Sequence, residues 1–113
     1  MKIENTFVAT IYISLQEHYN GILHTYNETK EILQQYCNKN SLCVTLEIIE
    51  YIYKDGNQTG FKIGLINYPR FPDTPGSIRN KAIEISKIFK EKFNQYRISI
   101  VCSDKTYMIE END

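Results

Sequence analysis

The side chains best able to bind or transform an anion are few in this chain. It has two histidines, His18 and His24, and three arginines, Arg70, Arg79 and Arg97. An arginine fork matches a carboxylate or a phosphate through paired hydrogen bonds. A histidine beside it can hold or move a proton near neutral pH. Arg70 has the most unusual setting. It lies in Gly64-Leu65-Ile66-Asn67-Tyr68-Pro69-Arg70-Phe71-Pro72-Asp73-Thr74-Pro75-Gly76-Ser77, which contains all three prolines of the chain. Each proline steers the residue before it, Tyr68, Phe71 or Thr74, away from helical geometry. A stiff loop with an arginine between two aromatics is a place where binding residues collect. Tyr68, Phe71 and Tyr19 offer rings on which a base can stack.

These side chains need elements to position them. Phe7 to Leu15 alternates apolar and mixed residues and reads as a strand. Thr25-Tyr26-Asn27-Glu28 has the form of a capping box, so a helix starts there. Leu42 to Tyr53 reads as the second strand, with a bulge expected at the Ile48-Ile49 doublet. Lys54 to Gly60 reads as a hairpin connection and Phe61 to Tyr68 as the third strand. Thr74 is an N-cap with Pro75 at the first helical position. Ile78, Ala82, Ile85, Phe89 and Phe93 then mark the buried stripe of a second helix. Arg97 to Val101 is a fourth strand, and Thr106 to Glu110 a short last one.

The order β-α-β-β-α-β is that of the ferredoxin-like α+β sandwich: an antiparallel four-stranded sheet with both helices on one face. A single domain over 1–113 is expected, frayed at about 1–5 and 110–113. In this reading the first and third strands are central and parallel, the fourth flanks the first, and the second flanks the third. Parallel central strands would bring His18, His24, Tyr68, Arg70, Phe71, Thr74, Arg79 and Arg97 together beside two helix N-termini, which present free amides to anions. The expected ligand is a small phosphate-bearing or otherwise anionic, nucleotide-like molecule. Local ion pairing is the competing account, with Arg70 and Arg79 held by Asp73 and Glu84.

Composition excludes several classes. The net charge is -1, so total charge gives no reason to expect nucleic acid or an acidic membrane. No apolar run approaches the ~20 residues of a membrane span. The three cysteines, Cys37, Cys43 and Cys102, form no C-x-x-C and read as small core residues of a reduced protein. With no apolar leader core after Met1, the cytoplasm is the expected location. A metal site would need three or four ligands, and only Asp73 or Glu17 could join the histidines; no metal or cofactor is expected. No G-x-G-x-x-G, P-loop, nucleophile elbow or H-E-x-x-H is present. A binding protein is therefore expected before an enzyme. The alternatives are an enzyme that cleaves such a ligand with His18 or His24 as acid or base, and an interaction module acting through its open sheet face.

That face carries Tyr12, Tyr51 and Ile66 among its residues. It is too aromatic for a purely solvated surface, and a homodimer or larger homo-oligomer through it is expected. Ile11-Tyr12-Ile13-Ser14-Leu15 and Thr59-Gly60-Phe61-Lys62-Ile63-Gly64-Leu65-Ile66 resemble the two strand motifs of RNA-recognition domains. They depart where stacking and charge matter: Thr59 stands at the basic position, Ile63 at the second aromatic, and Phe61 on the core side. Nucleic acid is not expected as a partner.

Leu42-Cys43-Val44-Thr45, Ile52-Tyr53 and Gly64 to Pro72 resemble a group of small, mostly uncharacterised proteins of phages and prophages in low-GC Gram-positive bacteria, over roughly residues 8–108. Small phage proteins of this size include oligomeric sponges that sequester host nucleotide immune signals. The resemblance thus implies an anti-defence sponge, and the cytoplasm is the host's if the chain is phage-encoded. One geometric condition decides the site. Arg70 has to reach the Gln16–Thr25 loop and lie near Arg97; otherwise the open sheet face becomes the better candidate. Tyr68-Pro69 and Phe71-Pro72 are the bonds at which a cis peptide is considered.

Overall fold

The computed structural model describes residues 1–18 and 20–113. Alternation in the sequence becomes five strands: β1 (Val8–Ser14), β2 (Thr45–Tyr53), β3 (Gly56–Ile66), β4 (Ile98–Cys102) and β5 (Thr106–Ile109). Two helices, α1 (Tyr26–Asn40) and α2 (Pro75–Lys92), interrupt them. The strands form one sheet in the order β2-β3-β1-β4-β5, with every neighbouring pair antiparallel.

Both helices start where capping chemistry puts them. Glu28 N donates to Thr25 Oγ1 at 3.1 Å and Thr25 N donates to Glu28 Oε1 at 3.3 Å, which completes the capping box. Thr74 Oγ1 accepts from Ser77 N, with Pro75 opening α2. Helix α1 stops at Ser41, whose φ of 49° is left-handed and whose N–H returns to Cys37 O.

One core lies between the helices and the sheet. Ala9, Ile11 and Ile13 of β1 join Phe61, Ile63 and Leu65 of β3, Ile98 and Ile100 of β4, and the buried stripes of the two helices. Phe61, Phe89 and Phe93 meet edge to face, with Phe61–Phe89 centroids 5.2 Å apart. Such packing adds to the area term because ring edges and faces carry opposite partial charge. Buried Thr29 and Ser86 donate to Thr25 O and Ala82 O one turn back, so neither hydroxyl is left without a partner.

Three sequence expectations need correction here. Strands β1 and β3 are antiparallel, not parallel: Val8 faces Ile66 and Ser14 faces Gly60. The chain crosses back through α1, so β2 runs with β1, and the hairpin then reverses β3. The hairpin is also tighter than expected. Asn57 to Thr59 pair with Ile52 to Glu50, and the turn is made at Lys54-Asp55, with Asp55 at φ 61°. The β2–β3 register is continuous from Thr45↔Gly64 to Tyr53↔Gly56, so the Ile48-Ile49 doublet makes no bulge.

Candidate functional site

Because β1 and β3 are antiparallel, the expected cluster divides between two ends of the sheet. Strand β1 exits beside Gly60, and β3 exits beside Val8. His18, His24 and Arg97 lie at the first end. Tyr68, Arg70, Phe71, Thr74 and Arg79 lie at the second, and the two helix N-termini are separated likewise. Arg70 therefore does not reach the Gln16–Thr25 loop. The stacking role considered for Tyr19 lies outside the described residues.

At the proline-loop end, local chemistry uses most of the polar groups. Phe71 N bonds to Tyr68 O at 3.0 Å across Pro69-Arg70, a turn with proline where its fixed φ suits it. Buried Asn67, not singled out in the sequence, ties the loop down. Its Nδ2 donates to Asn5 O at 2.9 Å and its Oδ1 accepts from Asp73 N at 2.8 Å. Asp73 accepts from Thr74 N, Ser77 Oγ and Lys81 Nζ, each at 2.8 Å. The Lys81 bond, with Ser77 and Thr74 assisting, holds the Asp73 carboxyl below its ordinary range. Arg79 donates to Asp104 Oδ2 at 2.7 Å and lies over Phe7 and Tyr107. Glu84 accepts from Tyr36 OH at 2.6 Å. Arg79, Asp73 and Glu84 thus have partners other than those expected, and Arg70 forms no ion pair among the described residues. Arg70 is exposed, 5.2 Å from the Phe71 ring centroid.

The loop still walls a cleft, though not one that Arg70 lines. Tyr68, Phe71, Pro72 and Asp73 face Ser41, Leu42, Cys37 and Cys43 across about 630 Å³. Cys102 is buried, Cys37 is half-buried and Cys43 is exposed, so the all-core expectation for the cysteines holds only for Cys102. Burial pushes the Cys37 thiol up, with the neighbouring Cys43 adding to it. No peptide bond among the described residues is cis.

The opposite end is organised by His24. Its Nδ1 lies 2.7 Å from Glu28 Oε2 and its Nε2 lies 2.6 Å from Glu17 Oε2. Its ring stacks on Phe93 at 4.0 Å. Two carboxylates facing both ring nitrogens are satisfied when both nitrogens carry protons. Burial works against that charge, but the bonds from Glu28 and Glu17 outweigh it and raise the His24 pKa. His24 is therefore a staple between loop and helix cap, with no nitrogen left for a ligand. His18 stacks on Tyr96 at 4.8 Å, and the Arg97 Cζ lies 4.8 Å from the centroid of the same ring. No carboxylate pairs with Arg97 among the described residues.

Two hollows meet at Arg97. One, of about 710 Å³, runs along the Gln16–Gly21 loop past His18. The other, of about 300 Å³, lies on the open sheet face over Tyr12, Tyr51 and Tyr53. Ser14, Gln58, Gln95 and Arg97 line both. The interface residues expected from the sequence do lie on this face, with Tyr12 and Tyr51 half-buried and Ile66 exposed. Phe61 is fully buried on the other side, so the RNA-recognition pattern lacks its stacking ring. Among the described residues no group of three or more His, Cys, Asp or Glu could hold a metal. No helix there is long and apolar enough to cross a membrane.

No protein-family model and no curated protein sequence matches the chain. Solved structures do. A phage SAM lyase in complex with S-methyl-5′-thioadenosine is similar in fold at 13% identity, with 99% of this chain and 95% of that one covered and a TM-score of 0.76. A phage SAM lyase in the apo state is similar at 13% identity, 95% and 90% coverage and a TM-score of 0.73. A de novo designed protein, Foldit4, is similar at 15% identity, 89% and 99% coverage and a TM-score of 0.52. At these identities the likeness is one of fold, which by itself does not carry an activity.

Proposed function

We propose that the chain is a small phage-type enzyme that binds S-adenosylmethionine and cleaves it to S-methyl-5′-thioadenosine, acting against a host process that uses the intact nucleoside. The observation that carries this reading is the whole-chain match: 99% of the chain follows the backbone of a phage SAM lyase at a TM-score of 0.76. The reading replaces the sponge with turnover and keeps the nucleotide-like ligand. It places the protein in the host cytoplasm and reads the architecture as a ferredoxin-like sheet lengthened by β5. A homo-oligomer through the open face belongs to the same proposal as an arrangement to be measured.

The chemistry asks little of titrating side chains. The bond between the sulfonium sulfur and Cγ breaks with its electron pair on sulfur. In the same step the four-carbon fragment forms its replacement bond without water: its carboxylate oxygen closes onto Cγ as a lactone with no proton released, or Cβ gives up one proton as a Cβ–Cγ double bond forms. A protein serves such a reaction by holding the substrate folded and excluding solvent. Aromatic faces near the sulfonium stabilise its charge. That fits a chain with nine tyrosines and no tryptophan better than it fits one with a buried nucleophile.

The test is to incubate the purified protein with S-adenosylmethionine and to separate products by liquid chromatography. S-methyl-5′-thioadenosine should form well above the spontaneous rate, in amounts exceeding the protein. Recovery of intact S-adenosylmethionine after heat denaturation of a complex would identify sequestration instead. No complex and no product would remove both.

A further inference from the structure

The open face of the sheet has a feature that neither an exposed surface nor a simple dimer face requires. Gly56, Gly60 and Gly64 of β3 all lie on that face at every fourth residue, opposite the helices. Each is covered by a side chain of β2. A Cβ on Gly60 would come within 2.4 Å of Tyr51 Cε2, and one on Gly56 within 2.6 Å of Tyr53 Cε2. The glycines are thus notches that let two tyrosine rings lie down across the neighbouring strand, close to its backbone. Tyr12 of β1 borders the same hollow. Burial, with Tyr12 nearby, pushes the Tyr51 hydroxyl up to about 12, so it remains a hydrogen-bond donor at neutral pH.

The rim is as selective as the floor. Among the described residues the tyrosine hollow is lined by hydroxyls, amides and one cation, Arg97, and by no carboxylate. The larger cleft beyond Arg97 provides the length a nucleoside with a side chain needs. The proline-loop cleft offers a different setting, because its Asp73–Lys81 pair is closed on itself at 2.8 Å.

We propose that this tyrosine platform, with Arg97 at its rim, is where the chain holds a purine nucleoside that bears a carboxylate. The base stacks on the rings of Tyr51 and Tyr53, and the carboxylate is taken by the Arg97 fork. The assignment rests on the function proposed above for the identity of the nucleoside. It goes beyond that reading in naming the residues and the two subsites.

Binding is measured by calorimetry on the full chain with two probes that are not cleaved: S-adenosylhomocysteine, which has the carboxylate, and S-methyl-5′-thioadenosine, which lacks it. Tyr51→Ala should weaken both about tenfold, the size of one lost stacking contact, while Tyr51→Phe keeps both within about twofold. Arg97→Gln should weaken S-adenosylhomocysteine about tenfold and leave S-methyl-5′-thioadenosine unchanged, since only one ligand makes the charge-assisted bond. Phe71→Ala should leave both unchanged. The proposal is overturned if Phe71→Ala abolishes binding while Tyr51→Ala does not, or if neither probe binds the wild type. It is also overturned if Tyr51→Ala halves the sedimenting mass with affinity unaltered, which would give the platform to a second copy. Binding on this pattern without any cleavage of S-adenosylmethionine leaves the platform standing and removes the lyase activity alone.

Discussion

At the proline-loop end Asp73 accepts three hydrogen bonds and Arg79 is paired with Asp104. At the opposite end Arg97 stands exposed beside two tyrosine-lined hollows, with no carboxylate partner among the described residues. The loop with the more conspicuous sequence uses its polar groups to hold its own shape. The end with the plainer sequence leaves a cation and several rings available. Conspicuous residue types therefore mark stiffness as readily as binding, and partners within the fold decide which.

The largest expected difference between the ends comes from two glycines. Gly60→Ala would place a methyl 2.5 Å from Ile13 O as well as against the Tyr51 ring. Overpacking of this kind costs about 1–3 kcal/mol. Gly76 in the first turn of α2 has nothing within 4 Å of an added Cβ. Gly76→Ala should be neutral or stabilise by up to ~1 kcal/mol, because the unfolded chain loses freedom. Chemical denaturation of the two variants checks this. Equal effects would mean that the tyrosines do not depend on the notch.

Next in size is Asp73→Ala, expected to cost about 1–2 kcal/mol through the loss of a cap-like carboxylate and its hydrogen bonds. The pair is only half-buried, and the water that reaches it limits the Lys81 share. If Asp73 instead served a ligand, the variant would keep its stability and lose binding.

These contrasts explain how much the sequence could reveal. Capping boxes, helix stripes and strand alternation are local, and Thr25-Glu28, Thr74-Pro75 and the Ile78–Phe93 stripe are found where local rules put them. The site depended on the direction of β3, and direction is a count of reversals along the whole chain. The hairpin at Lys54–Gly60 is legible, but the ferredoxin-like reading still makes β3 parallel to β1, and that direction puts Arg70 at the wrong end. The tyrosine platform did have a sequence signal, glycines at 56, 60 and 64 facing Tyr53, Tyr51 and Thr45. It becomes legible only when the β2–β3 register is known, since Tyr51 lies across Gly60 but pairs with Gln58.

A smaller effect, in pH, separates the His24 end from the rest. The folded pKa of His24 is raised above its ordinary value, so its stabilisation is complete below about 6.5 and fades as pH rises through the folded value. Glu28 is lowered chiefly by its bond to His24, and Glu17 chiefly by its bond to Asn20. Their stabilisation is present above the carboxylate range and fades as pH falls through their lowered values. Together these predict a stability maximum at mildly acidic pH. Thermal melts from pH 4 to 9 should show a decline above neutrality of roughly 2–4 °C that His24→Gln removes. An unchanged profile in that variant would mean the staple carries no net stability.

The smallest expected effect belongs to Arg70, the residue most constrained by its neighbours in the chain. It is exposed, forms no ion pair among the described residues, and touches the fold through the Phe71 ring at 5.2 Å. An exposed contact of this type is worth at most ~0.5–1 kcal/mol. Pro69 and Pro72 fix the turn without it, and Asn67 and Asp73 anchor its ends. Arg70→Ala should therefore shift the melting temperature by at most about 4 °C and leave the affinity for S-adenosylhomocysteine within about twofold. Arg97→Gln, equally exposed and equally mild in stability, should lose that affinity. If the two variants change places, with Arg70 deciding affinity and Arg97 silent, the proline-loop cleft holds the ligand and the tyrosine platform does not.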